Sequence, residues 1–135
     1  MDTLENPDTP RALVVDDCRT VVAIMRHYLQ LEGFDVLVAA DGMAGLETAR
    51  RERPRVIVTD VNMPGMDGPA MVRALRADPR TRGMAIFMLS SEERAECREQ
   101  ALAAGVDEYV LKPVDPRPFA ARVRAAVDRI AAVHE

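Results

Sequence analysis

A chain of 135 residues, 48% of them hydrophobic and 30% charged, has room for one domain and enough apolar side chains to give it a core. A formal charge of −4 at neutral pH speaks against nucleic acid as the main partner, because phosphate backbones select basic surfaces. No run approaches the ~18 apolar residues of a membrane span, the first ten residues lack a signal-peptide core, and Cys18 and Cys97 form neither a CxxC pair nor a disulfide framework, so a cytoplasmic protein with no membrane insertion and no structural zinc is expected.

Residues 1–10 are polar, carry two prolines and show no periodicity, which predicts a flexible lead before a single domain over 11–135. From there strand-length apolar runs alternate with segments of helical period. Ala12 to Val15 is the first predicted strand. A helix follows over Thr20 to Glu32, with Val22, Met25 and Leu29 on one face and Gly33 as its stop. Phe34 to Ala39 reads as the second strand, and Met43 to Arg53 as a second helix closed by Pro54. The β-branched run Val56-Ile-Val-Thr59 ends at Asp60, and the Pro/Gly cluster from Met63 to Gly68 forces a loop. Pro69 to Ala77 is the third helix, capped by Asp67. Ala85 to Leu89 is the fourth strand, and the fourth helix ends at Gly105. Glu108 to Lys112 supplies the fifth strand, and the last helix starts near Pro116 with Phe119, Val123, Val127 and Ile130 on one face. Strict alternation of buried-type strands with helices predicts an α/β fold, a doubly wound parallel sheet of five strands with helices on both faces.

In such sheets ligands sit outside the carboxyl ends of the strands. Asp16 and Asp17 close strand one, Asp60 strand three, Ser90 and Ser91 strand four, and Lys112 strand five. Lys112 is also the chain's only lysine, since 17 of the 18 basic residues are arginine, so a compact point charge stands here alone. Three carboxylates brought together repel unless a cation joins them. An all-oxygen set suits Mg²⁺ rather than zinc. A carboxylate can itself attack phosphorus, while an ammonium and a hydroxyl stabilise phosphoryl oxygens, so the expected chemistry is phosphoryl transfer onto Asp60.

The segments Val15-Asp-Asp17, Thr59-Asp-Val-Asn-Met-Pro-Gly-Met-Asp-Gly68, Met88-Leu-Ser90 and Tyr109-Val-Leu-Lys-Pro113 resemble the receiver domain of bacterial response regulators, over about Arg11 to Ile130. The separations of 43 from Asp17 to Asp60, 30 from Asp60 to Ser90 and 22 from Ser90 to Lys112 fit that family. The resemblance implies the flavodoxin-like strand order 2-1-3-4-5. It implies a two-component signalling protein whose Asp60 accepts a phosphoryl group from the phosphohistidine of a histidine kinase or phosphotransfer protein. In it Asp17 and Asp60 ligate Mg²⁺ directly, Asp16 acts through water, the backbone carbonyl of Asn62 is a further ligand, Lys112 pairs with the phosphoryl group, and the Lys112–Pro113 peptide bond is cis. Ser90 moves toward that group and Tyr109 rotates inward behind it, reshaping the face of helix four, strand five and helix five for a downstream protein. Asn62 and Glu92, two past the acceptor and two past the hydroxyl, resemble the pair in fast-resetting chemotaxis regulators and imply a short-lived phosphoryl state. Such a protein is no enzyme beyond assisting its own phosphorylation and dephosphorylation.

Other readings compete. A Mg²⁺-dependent phosphatase with an aspartyl-phosphate intermediate resembles the haloacid dehalogenase-like enzymes, but these carry a second aspartate where Asn62 stands. A binding-only pseudo-receiver is opposed by the complete acid set, and an excised receiver of a longer regulator is a third alternative. Among single residues, Tyr109 can be an ordinary strand aromatic, Cys18 an inert small side chain, His27 and His134 surface residues, and Glu47, Arg50, Arg51 and Glu52 a solvated helix face.

Overall fold

The computed structural model describes residues 9–134. Five strands, β1 (Arg11–Val15), β2 (Asp35–Ala39), β3 (Val56–Asp60), β4 (Ala85–Ser90) and β5 (Glu108–Leu111), alternate with five helices, α1 (Arg19–Leu31), α2 (Gly42–Glu52), α3 (Gly68–Ala77), α4 (Ala95–Ala104) and α5 (Pro116–His134). All strand pairs are parallel and the order is β2-β1-β3-β4-β5, the expected doubly wound flavodoxin-like sheet. The flexible lead expected over 1–10 falls largely on residues 1–8, outside those described. Pro10 is buried and its carbonyl accepts the Asp35 N–H at 2.9 Å, so chain packing begins ahead of β1.

Apolar side chains on the two sheet faces build two separate cores. On one, Phe87 and Val14 meet Met25, Leu29, Phe119, Val123 and Val127 of α1 and α5; Phe87 and Phe119 stack edge to face at 5.7 Å. On the other, Leu13, Ile57 and Ile86 meet Leu46, Met71, Leu75 and Ala101 of α2, α3 and α4. Burial on both faces is why β1, β3 and β4 read as unbroken apolar runs rather than alternating ones. Of the expected helix faces, Val22 and Ile130 are only half-buried at the edges of the same core.

Local chemistry fixes the ends. Asp67 caps α3 as expected, accepting the Ala70 N–H at 2.9 Å, and Asp41 does the same for α2 through Ala44 at 2.8 Å. The solvated face expected over 47–52 is corrected in part. Arg50 reaches Asp78 at 3.0 Å and Glu52 reaches Arg11 at 3.0 Å, both half-buried, because α2 runs back toward the loop before β4 and the start of β1. Parallel register then brings the strand ends level: Val15 stands beside Thr59, Asp60 beside Leu89 and Ser90 beside Leu111.

Candidate functional site

The level strand ends deliver the acids to one place. Asp16, directly after β1, is 5% exposed, whereas Asp17 is exposed and Asp60, the last residue of β3, is half-buried. One carboxylate oxygen from each lies within 4.8 Å of the other two. The Lys112 ammonium donates to Asp60 Oδ1 at 2.9 Å, so one cation faces three carboxylates. Asp16 shows the imbalance: burial, with repulsion from Asp60 and Asp17, pushes its carboxyl above the ordinary aspartate range, against the opposing pull of the Cys18 N–H and Lys112. Cys18 thus serves Asp16 through its backbone, donating to Oδ1 at 2.9 Å, while its own side chain is exposed. The donor set is all oxygen and carries excess negative charge, which suits a hard divalent cation.

Glycine at position 68 is a steric condition of this arrangement. A Cβ there would lie 2.6 Å from the Asp60 carbonyl oxygen, and the Gly68 N–H donates to Val61 at 2.8 Å. The start of α3 is therefore pressed against the acceptor strand. Met63, within the Pro/Gly loop, is buried and helps hold it there.

A second cluster lies at the end of β4. Ser90 is 3% and Tyr109 9% exposed; the Tyr109 hydroxyl is 2.9 Å from Ser90 Oγ and 2.9 Å from the Glu92 carbonyl oxygen. The Glu92 N–H donates to Ser90 Oγ, also at 2.9 Å. A carbonyl only accepts and a phenol has one proton. All three contacts are satisfied when Tyr109 donates to Glu92 and Ser90 donates to Tyr109. Tyr109 thus lies buried on β5 with its hydroxyl hydrogen-bonded to the residues that follow β4. Its coupling to Ser90 through the Glu92 backbone had no signal in the sequence, since any residue supplies that carbonyl.

The Glu92 carboxylate turns toward α4. Its Oε1 accepts from the Arg94 backbone N–H and lies 3.0 Å from Arg94 Nε, contacts that hold Glu92 below the usual glutamate range. Asn62 is exposed and lines a small cleft of about 160 Å³ with Ser90, Glu92, Arg94 and Tyr109. Ser91 is also exposed and lies on the other side of the site, in an apolar groove with Ile24, Pro113 and Lys112. The Lys112–Pro113 bond is cis. His27 is exposed, beside Tyr28.

A family model described as the response regulator receiver domain matches residues 12–124. Among curated relatives, the transcriptional regulatory protein PrrA of Mycobacterium tuberculosis is 40% identical over 121 residues, covering 90% of this chain and 51% of that protein. The DNA-binding response regulator MtrA of Mycolicibacterium smegmatis is 38% identical, covering 96% of this chain and 54% of its own length. The chain therefore spans about half the length of the curated relatives it matches. Among solved structures, the chemotaxis response regulator CheY4 of Vibrio cholerae superposes with a TM-score of 0.78 at 32% identity, covering 90% of this chain and 98% of that one.

Proposed function

The chain belongs to the response regulator receiver domains of two-component signalling, and we propose that Asp60 is its phosphoryl acceptor. The observation that carries this reading is the Lys112 ammonium 2.9 Å from Asp60, with Asp16 and Asp17 completing a three-carboxylate cluster. The phosphatase alternative finds no support among the relatives.

In the proposed step an Asp60 carboxylate oxygen attacks the phosphorus of a partner kinase's phosphohistidine. A P–O bond forms, the P–N bond breaks, and the imidazole leaves with its electron pair and takes a proton from water. Asp17 and Asp60 would hold Mg²⁺ directly, Asp16 through water and Asn62 through its carbonyl; when bound, the ion neutralises phosphoryl oxygens. Lys112 shifts from the Asp60 carboxylate to the new phosphoryl oxygens. Ser90 redirects its proton from Tyr109 to the phosphoryl group, which releases Tyr109 to bond through Glu92 alone. The apolar groove of about 480 Å³ beside Lys112, with Ile24 on its wall, offers the donor protein a surface next to the acceptor.

The proposed output is protein contact through α4, β5 and α5, where Leu102 and Leu111 are exposed. In a longer protein built like MtrA the same face would govern a DNA-binding partner domain. Among the described residues no helix is long and apolar enough to cross a membrane. The paired positions Asn62 and Glu92 support a short-lived phosphoryl state. Slow decay that stays unchanged in Asn62 and Glu92 variants would count against that lifetime.

A two-dimensional NMR titration with Mg²⁺ and then beryllofluoride tests the site. Saturable shifts at Ser90, Tyr109 and Lys112 in the wild type, and none in Asp60→Ala, are expected. A folded wild type that does not respond removes Asp60 from the mechanism and leaves a binding-only domain.

A further inference from the structure

The opposite edge of the sheet carries the reverse charge. Where the chain enters β3, beside the loop before β4 and the end of α5, there is a cleft of about 350 Å³ lined, among the described residues, by three arginines, Arg53, Arg55 and Arg80, and by no carboxylate. Pro54, Val127 and Ile130 form part of its apolar wall. Such a volume is within the range of small-molecule sites, and an apolar wall with a few convergent polar groups is their usual composition.

Two of the three, Arg53 and Arg55, lack a carboxylate partner among the described residues, and neither side chain makes another polar contact there, whereas Arg80 is paired with Asp78 at 2.7 Å. The nearby acid, Asp78, is already occupied: it accepts from the Arg80 backbone and guanidinium and lies 3.0 Å from Arg50 Nε. Arg50 Nε is nevertheless buried without an aligned hydrogen bond, so one carboxylate faces more donors than it satisfies. In a chain of net charge −4, the described residues at this pole make a local excess of guanidinium.

Arg53 also stands where the backbone favours another residue. It ends α2 at φ 49° and ψ 61°, and it is the one non-glycine residue with positive φ among those described. Glycine takes that conformation without a Cβ penalty. A guanidinium is thus present at the rim of the cleft at the expense of backbone ease.

We propose that this cleft binds a nucleoside phosphate, its phosphates on Arg53 and Arg55 and its base against Pro54, Val127 and Ile130. Guanidinium forks bind phosphate oxygens through paired charge-assisted hydrogen bonds. The flat base supplies apolar area that inorganic phosphate lacks, and that difference makes the ligand class testable.

The probe is ADP, with pyrophosphate and adenosine in parallel, titrated into ¹⁵N-labelled protein in EDTA so that the acidic edge holds no divalent ion. ADP is expected to shift the amides of residues 53, 55, 80 and 127–131 and to bind about tenfold tighter than pyrophosphate, while adenosine alone binds weakly. Arg53→Gly weakens ADP about tenfold with an unchanged or higher melting temperature, since it relaxes the backbone. Asp60→Ala leaves ADP binding intact, which separates this site from the phosphoryl acceptor. Equal binding of pyrophosphate and ADP, unchanged binding in Arg53→Gly, the absence of shifts, or shifts centred on Asp60 and Lys112 each overturn the proposal.

Discussion

Replacing Asp16 by asparagine tests whether the acid cluster is a source of instability held for function. The substitution removes one negative charge, keeps the side-chain shape and keeps an oxygen to accept the Cys18 N–H. Two unit charges at the 4.8 Å limit of this cluster repel by about 3.5 kcal/mol at an effective dielectric near 20. Lys112 and the solvent around Asp17 offset much of that, leaving an expected gain of about 1–2 kcal/mol for the metal-free variant. At roughly 3–4 °C per kcal/mol for a chain of this size, Asp16→Asn should melt about 3–8 °C above wild type in EDTA at neutral pH.

The sign of the pH dependence follows from the raised Asp16 carboxyl. The folded state binds that proton more readily than the unfolded chain does, so the contribution is present in acid and is lost as pH rises through the folded value. The gap between variant and wild type should therefore narrow toward acid and widen toward neutrality. Saturating Mg²⁺ should reverse the order, because wild type gains about 2.7 kcal/mol at a hundredfold excess over Kd while the variant binds the ion more weakly. Thermal melts in EDTA and in Mg²⁺ at several pH values read all three effects. A variant no more stable than wild type in EDTA at neutral pH, or a gap that grows in acid, refutes the reasoning.

Lys112→Ala removes the cation 2.9 Å from Asp60, and phosphorylation by phosphoramidate, followed by intact mass, should fall more than tenfold. Tyr109→Phe deletes the hydroxyl shared by Ser90 and Glu92; urea unfolding should show a loss of about 1–2 kcal/mol, with the phosphorylation rate within about twofold of wild type. Gly68→Ala puts a methyl 2.6 Å from the Asp60 carbonyl oxygen, so urea unfolding should show about 1–3 kcal/mol of destabilisation together with slower phosphorylation.

The strands and the acid set were legible because each is written in a short stretch of chain. Val56-Ile-Val-Thr59 can be little else than a buried strand, and an aspartate at its end must emerge at the sheet edge. The Asp67 cap is equally local. Arg50 was misread as solvated because its partner, Asp78, belongs to another loop, and a helical face says nothing of what folds across it. The Glu92 carbonyl between Ser90 and Tyr109 is backbone and carries no residue signal. Likewise, Gly68 reads as the last residue of a loop in sequence, and only the packed structure shows Asp60 against it.

These differences bear on how the proposed switch would work. Burial makes Asp16 resist ionisation, and the register of β1 against β3 keeps Asp60 beside it, so the metal-free fold holds repulsion that the sequence could relieve with one amide. That repulsion is free energy a divalent cation would recover on binding; together with Lys112 it would balance the three carboxylates, so that in the proposed reaction an incoming phosphoryl group meets no net negative charge. Ser90 and Tyr109, already joined by one shared proton, lie in wait at the next strand end. In the switch proposed above, a change of charge at Asp60 reaches the α4–β5–α5 face through the direction of a single hydrogen bond, which lies above the two apolar cores.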